Sequence, residues 1–489
     1  MKGVYKSVLV LVLSLVLLAV SFSCVAAADI SVEDVSVSDV SVDIGGDVDV
    51  VPQVSGVAND EINSMESNVA NLKGSNTVYV GKNITANGNG TRDNPYNNLK
   101  LAMDQKPAET IIQEGVYGGP ENTVDLKGIV RAEDGANVII NGSNMAKSYI
   151  ILRGATLKNL TFINFNAAAV LYLYEGNNTI EDCTFINNTG TNVACIDIEP
   201  GNNPNANIKN CTFINNHGMP SYVASVNKTY YNAAGAIYVG ASNSGFPVVI
   251  SDCTFINTSA DDGGAIYWNG IDGSVSGCTF TNSSASAYGG AIYWNNASGS
   301  VSGCTFTNIN AHTGGTIIWE GANGKISDSN FNNSNASEDA GAIYWNSMRG
   351  NVSDCNFTNT NTIRNGGAIY WLTDYGNISG CNFLNSTANV GGAIYWDNSK
   401  FCNVTDSIFT NCSATLGPAM YIHYASDLSI NNCSNTPKDN DFKAPIYNNG
   451  TINITNSTVE NNTAGGNGGG IDNNGTITFI ITFFTYFIF

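Results

Sequence analysis

Two adjacent carboxylates, Asp261-Asp262, are the stretch of this 489-residue sequence that most nearly spells a reaction. Such a pair could hydrolyse a glycosidic bond, one carboxyl giving a proton while the other activates water or attacks. The remaining charged chemistry is sparse. Past the first residues the arginines are Arg92, Arg131, Arg153, Arg349 and Arg364, and the histidines are His217, His312 and His423. They fall at unrelated places in the repeats described below, so no Lys or Arg base gathers beside carboxylates as a polysaccharide lyase requires. No Cys-x-x-Cys spacing suggests zinc. Asp261-Asp262 sits where a polar turn is expected. These positions predict no catalytic residue, no cofactor and no metal, hence a protein that is not an enzyme. A second candidate is aromatic. Tyr238, Tyr267, Tyr293, Tyr344, Tyr370, Tyr395, Tyr421 and Tyr447 recur at one place per repeat and could stack on sugar rings or on a partner surface. The same row could instead only stabilise a sheet through cross-strand pairs.

What positions these residues is a repeat. The block Gly263-Gly264-Ala265-Ile266-Tyr267-Trp268 returns at Gly289, Gly366 and Gly391, with looser copies at Gly314 and Ala340, and every one of the six tryptophans closes such a block. Cys-Thr-Phe or Cys-Asn-Phe keeps time with it. Counting the Ser329 and Ser407 substitutes, the steps from Cys253 to Cys433 are 25, 26, 25, 26, 26, 26 and 26 residues. A period near 26 built from short β runs and turns predicts a solenoid whose units bury a core only by stacking.

Alternation along a strand sends Ile and Trp one way and Ala and Tyr the other. The Trp slot elsewhere holds Ile198, Val239 or Ile422, whereas the Tyr slot accepts Asp197 and Asp472, so Trp points inward as a stacked ladder and Tyr outward. This predicts an exposed tyrosine stripe flanked by small Ala. Cys and Phe share an inward face. The residue before Cys is Gly, Asp or Asn, which suits a left-handed corner. Asn two residues after Phe predicts an asparagine ladder. Ser in the Cys slot argues for small buried thiols over disulfides. Cys402 and Cys412 lie off that ladder, unplaced.

Other segments read differently. Residues 1–28 look like a signal peptide: Lys2 and Lys6, an apolar run from Val8 to Val20, then Ala26-Ala27-Ala28. Residues 29–75 read as an acidic disordered spacer. Residues 76–159 hold irregular first rungs with one short helix, Asn97 to Asp104, and 160–475 the regular repeats. The net charge of −20 excludes a nucleic-acid partner, which requires a basic footprint. Sequons such as Asn83, Asn159, Asn257, Asn296, Asn377 and Asn453 fit an exported chain. The tail, 476–489, restarts a rung with Gly475-Thr476-Ile477-Thr478 and then turns wholly apolar. It is too short for a membrane helix, and reads as an interrupted rung of a longer repeat protein, with any membrane anchor outside this chain.

The GGAIY blocks alternating with CTFxN resemble the repeats of chlamydial polymorphic membrane proteins. The leader, sequons and Asn/Thr-rich rungs are more similar to adhesin-like surface proteins of methanogenic archaea. This resemblance implies a right-handed parallel β-helix of the pectin-lyase type, with Gly88 to Tyr117 similar to its N-terminal cap. It also implies a secreted or cell-surface adhesin that binds glycans or cell-surface proteins through a lateral face. A polysaccharide lyase or glycosidase, or a passive wall or stalk protein, are the alternative readings, because fold does not fix activity.

Overall fold

A computed structural model describes residues 76–480, apart from 83–87, 120–122, 144–149, 168, 224–227, 231–233, 241–246, 271, 296–297, 437–442 and 460–469. The segments read as signal peptide (1–28) and acidic spacer (29–75), and residues 481–489 of the tail, lie outside the described residues.

Within 76–480 the chain is a right-handed parallel β-helix of about 12 turns with almost no helix. One rung shows the plan: strands Ile292–Asn295, Gly299–Ser302, Thr305–Thr307 and Asn310–Ala311 follow one another around the coil. Each pairs in parallel and in register with its counterpart one rung on, as Ile292 with Ile317, Val301 with Ile326, Phe306 with Phe331 and Asn310 with Asn335. The single described helix, Leu99–Asp104, is capped by Asn98, whose side chain accepts from the Leu101 amide, and places Ala102 in the core.

Residue type dictates the corners. The residue before Cys is left-handed throughout the regular rungs, for example Asp252 at φ 55°, Gly277 at 61° and Asp354 at 53°. The Asn after Phe does the same, with φ of 54° at Asn282 and 57° at Asn308. Its amide also donates to the previous rung: Asn308 Nδ2 to Asn282 Oδ1 at 3.1 Å and Asn333 to Asn308 at 3.1 Å. A side chain that tolerates the left-handed region and bonds its neighbour therefore closes each corner. At the double glycine, Gly290 has no room for a Cβ, which would lie 2.3 Å from the Gly315 carbonyl oxygen.

The core is a set of stacked rows. Trp268, Trp294, Trp319, Trp345, Trp371 and Trp396 are all fully buried, with successive centroids 4.1 to 5.2 Å apart. Phenylalanines from Phe162 to Phe409 stack in the same manner, as Phe255 on Phe280 at 4.6 Å. The described cysteines are free and buried. Each ladder thiol donates back to the carbonyl two residues earlier, as Cys304 to Ser302 at 3.3 Å. Cys412 extends the buried row that holds Ser334, Thr360 and Ser386, and Cys402 accepts from the Gly376 amide at 3.2 Å. Burial pushes the Cys412 thiol up to about 12 and Cys433 to about 11, so both stay protonated and inert.

One sequence expectation changes here. The Ala of each block does not flank the tyrosines. Ala265, Ala291, Ala342, Ala368 and Ala393 are buried in the main core, because the bend at the double glycine turns them inward before the strand begins. The long step between Cys211 and Cys253 contains an antiparallel pair, Ser221–Val223 with Lys228–Tyr230, that forms a two-stranded sheet of its own.

Candidate active site

The tyrosine row lies on the outside of the coil, in register from Tyr238 to Tyr267 to Tyr293, from Tyr344 through Tyr370 and Tyr395 to Tyr421, and on to Tyr447. Neighbouring rings lie 4.8 to 5.4 Å apart, stacked except for Tyr267 and Tyr293, which are tilted by 58°. The expected exposure is wrong. Tyr267 is 3 % exposed, and Tyr370 and Tyr395 are each 8 %, while Tyr238, Tyr293, Tyr344, Tyr421 and Tyr447 are half-buried. Each ring shields the next, and two flanking rows wall the stripe into a shallow trough.

One wall is the residue before the double glycine: Asp262, Tyr288, Thr313, Asp339, Asn365, Val390 and Leu416. The other is the residue after the Trp slot: Asn269, Asn295, Glu320, Asn346, Leu372, Asp397, His423 and Asn449. Tyrosine hydroxyls bridge forward to this second wall. Tyr293 donates to Glu320 Oε2 at 2.7 Å and Tyr370 to Asp397 Oδ2 at 2.9 Å. The scattering of charge along the sequence is therefore undone by stacking. His423, which seemed to hold an unrelated repeat position, stands in one row with Glu320 and Asp397.

Between Tyr238 and Tyr447 the row is broken once. Ile318 takes the tyrosine slot between Tyr293 and Tyr344. Its shorter side chain leaves a cavity of about 430 Å³ bounded by those two tyrosines, Tyr288, Glu320, Asp339 and Asn346, with His312, Glu338 and Arg364 among its other lining residues. Glu320 and Asp339 belong to opposite walls of the trough. Burial raises the Asp339 carboxyl above its ordinary value, opposed by the Arg364 charge and by the Asn365 amide, which donates to Asp339 Oδ1 at 2.9 Å. Arg364 itself pairs with Glu338.

Asp262 is not in an open turn. It ends the strand Ser259–Asp262, is 6 % exposed, and its Oδ1 has no hydrogen-bond partner. Burial first, then the Asp261 charge, pushes it up to about 7. Tyrosines respond in the same direction: burial takes Tyr344 up to about 12 and Tyr293 higher, with Glu320 adding to the latter. They are phenols at any working pH, hydrogen-bond donors rather than bases.

No protein-family model and no curated protein matches this sequence. Solved structures do share the fold. The chain is similar to a mannuronic acid specific polysaccharide family 6 lyase from human gut microbiota, at 10% identity over 76% of each chain, with a TM-score of 0.33. Tailspike protein 3 of bacteriophage CBA120 matches at 11% identity over 79% of this chain and 57% of its own, TM-score 0.40. The A-module of the Azotobacter vinelandii mannuronan C-5 epimerase AlgE4 matches at 10% identity over 79% and 91%, TM-score 0.29. These likenesses concern the fold and assign no activity here. The expectation that the chain is not an enzyme does not stand. The premise of that expectation, charges too scattered to form a site, fails at Glu320 and Asp339.

Proposed function

We propose that this chain is a carbohydrate-active β-helix that binds a neutral glycan along the tyrosine trough and hydrolyses it in the cavity above Ile318. The observation that carries this reading is the pair Glu320 and Asp339, on opposite walls of one cavity between two aromatic faces. Asp339, whose burial favours the protonated form, gives its proton to the glycosidic oxygen as the bond to the anomeric carbon breaks. Glu320, oriented by the Tyr293 hydroxyl, takes a proton from the water that attacks that carbon. Tyr293 and Tyr344 hold sugar rings on either side.

Charge and acidity favour hydrolysis over elimination. Glu320, Glu338 and Asp397 line or border the trough on a chain of net charge −20, so a polyuronate would be repelled. The phenols with raised pKa make poor bases for abstracting a carbon-bound proton. A leader of the kind read at 1–28 would place this activity outside the cell.

The test is reducing-end release from cellohexaose, xylohexaose, mannohexaose and chitohexaose by the purified chain. Cleavage of at least one is expected, with Asp339→Asn lowering kcat by about 10²–10⁴-fold. Release from none of them, or full activity in Asp339→Asn, would overturn the reading.

A further inference from the structure

Three and four rung steps along from Glu320, the same wall carries a second constellation that the hydrolytic pair does not use. Asp397 accepts two hydrogen bonds, from the Tyr370 hydroxyl at 2.9 Å on Oδ2 and from His423 Nδ1 at 2.8 Å on Oδ1. Because a carboxylate can only accept, Nδ1 must carry the proton. This fixes the direction of Nε2, which in the neutral tautomer is an acceptor. The imidazole stands beside three tyrosines: Tyr424 at 4.3 Å between centroids, Tyr395 at 6.1 Å and Tyr421 at 6.2 Å. Tyr424 differs from the row tyrosines. It is 64 % exposed and held at φ 53°, a left-handed conformation uncommon for a bulky residue.

An exposed aromatic face beside a directed hydrogen-bond acceptor is what a pyranose ring recognises: its apolar C–H face lies on the tyrosine and a hydroxyl donates to the imidazole. We infer that Tyr424, His423 and Asp397 form a distal sugar-binding subsite for the far end of the neutral glycan cleaved at Glu320 and Asp339. Asp397 acts as a positioning residue, fixing the imidazole tautomer. The inference rests on the proposed hydrolytic reading for its ligand class and adds a length requirement. At about 4.8 Å per rung, His423 stands roughly 19 Å along the trough from Glu320. A hexasaccharide can touch both places, and a disaccharide seated in the cavity cannot.

The experiment measures binding in an Asp339→Asn background by calorimetry, so that turnover plays no part, with whichever hexaose of the panel above binds most tightly and the corresponding disaccharide as probes. Adding His423→Ala or Tyr424→Ala is expected to weaken hexaose binding about tenfold and to leave disaccharide binding as it was. Asp397→Asn should weaken the hexaose similarly, and circular dichroism checks that each variant stays folded. Equal losses for both lengths, no loss for either, or no hexaose binding at all would overturn the subsite. If the length-dependent loss appears while the unsubstituted chain cleaves nothing, the hydrolytic reading fails and the subsite stands.

Discussion

Tyr344 and Trp345 are neighbours on one strand, Ile343–Trp345, and leave it in opposite directions. Both stack on their counterparts one rung away, Tyr344 on Tyr370 at 5.2 Å and Trp345 on Trp371 at 4.8 Å. The inner row runs through six rungs without a gap, every ring fully buried. The outer row is interrupted, by Asp197 near one end, by Ile318 in the middle and by Asp472 at the other, and two of its hydroxyls reach carboxylates, Tyr293 to Glu320 and Tyr370 to Asp397. Uniformity inside is what a stacked core requires, since each ring can be buried only by the next one. Outside, a missing ring does not open the core, so the slot is free to vary. In this molecule that freedom is where a cavity and two facing carboxylates arise.

The contrast is broken most directly by truncating each row in turn. Trp345→Ala should cost about 3–5 kcal/mol in denaturant unfolding, the range for removing a large buried aromatic side chain. The loss includes the bond from its indole nitrogen to the Ser347 carbonyl at 2.8 Å. Tyr344→Ala, one residue away, should cost less, because its half-buried ring makes one stacked pair worth about 0.5–1.5 kcal/mol beyond burial. Comparable losses for the two would show that the outer row is as structural as the inner.

A second measurement sharpens the comparison at the buried acid of the outer wall. Asp262 rises from 3.8 to about 7 on folding, through burial first and the Asp261 charge second. A carboxyl with a raised folded pKa leaves the folded state holding more protons than the unfolded one between those values. The contribution of Asp262 is therefore full below about pH 4 and is lost as pH climbs to about 7. Melting temperature should fall across that window, by an amount on the order of 2–4 kcal/mol in stability, and Asp262→Asn should flatten the slope. An unchanged slope in that variant would place the titration elsewhere.

The rungs, the corners and the inward rows are legible in the sequence because period and residue type both report them. Gly277, Asp252 and Asn210 before Cys announce a left-handed corner, and Ser329 in a Cys slot announces a small buried residue. The site is not legible in the same way. Glu320 and Asp339 sit in different rungs and at different repeat positions, and only stacking puts them on facing walls of one trough. Ile318 reads as an ordinary apolar variant of the Tyr slot, since an absence in a periodic row carries no residue type of its own. Asp262 looked like turn polarity because the bend at Gly263-Gly264 follows it. Burial of its carboxyl comes from neighbouring rungs, which a linear reading does not supply.

The smallest stability change carries the sharpest test of the site. Ile318→Tyr puts into the gap the residue that the adjacent rungs hold at Tyr293 and Tyr344, on backbone that pairs with both in register. The added ring should stack on both neighbours, and each aromatic pair is worth about 0.5–1.5 kcal/mol beyond burial. Part of that gain is offset by the buried Ile contacts that are lost, because Ile318 is only 2 % exposed. Stability should therefore stay within about 1 kcal/mol of the parent chain. The ring would also fill the cavity between Glu320 and Asp339, so hydrolysis should vanish with both carboxylates intact. A stable variant that still cleaves would place the reaction outside this cavity. A variant that loses several kcal/mol would show that the gap at Ile318 is a packing requirement of the rung, and the outer row would then be as constrained as the inner one.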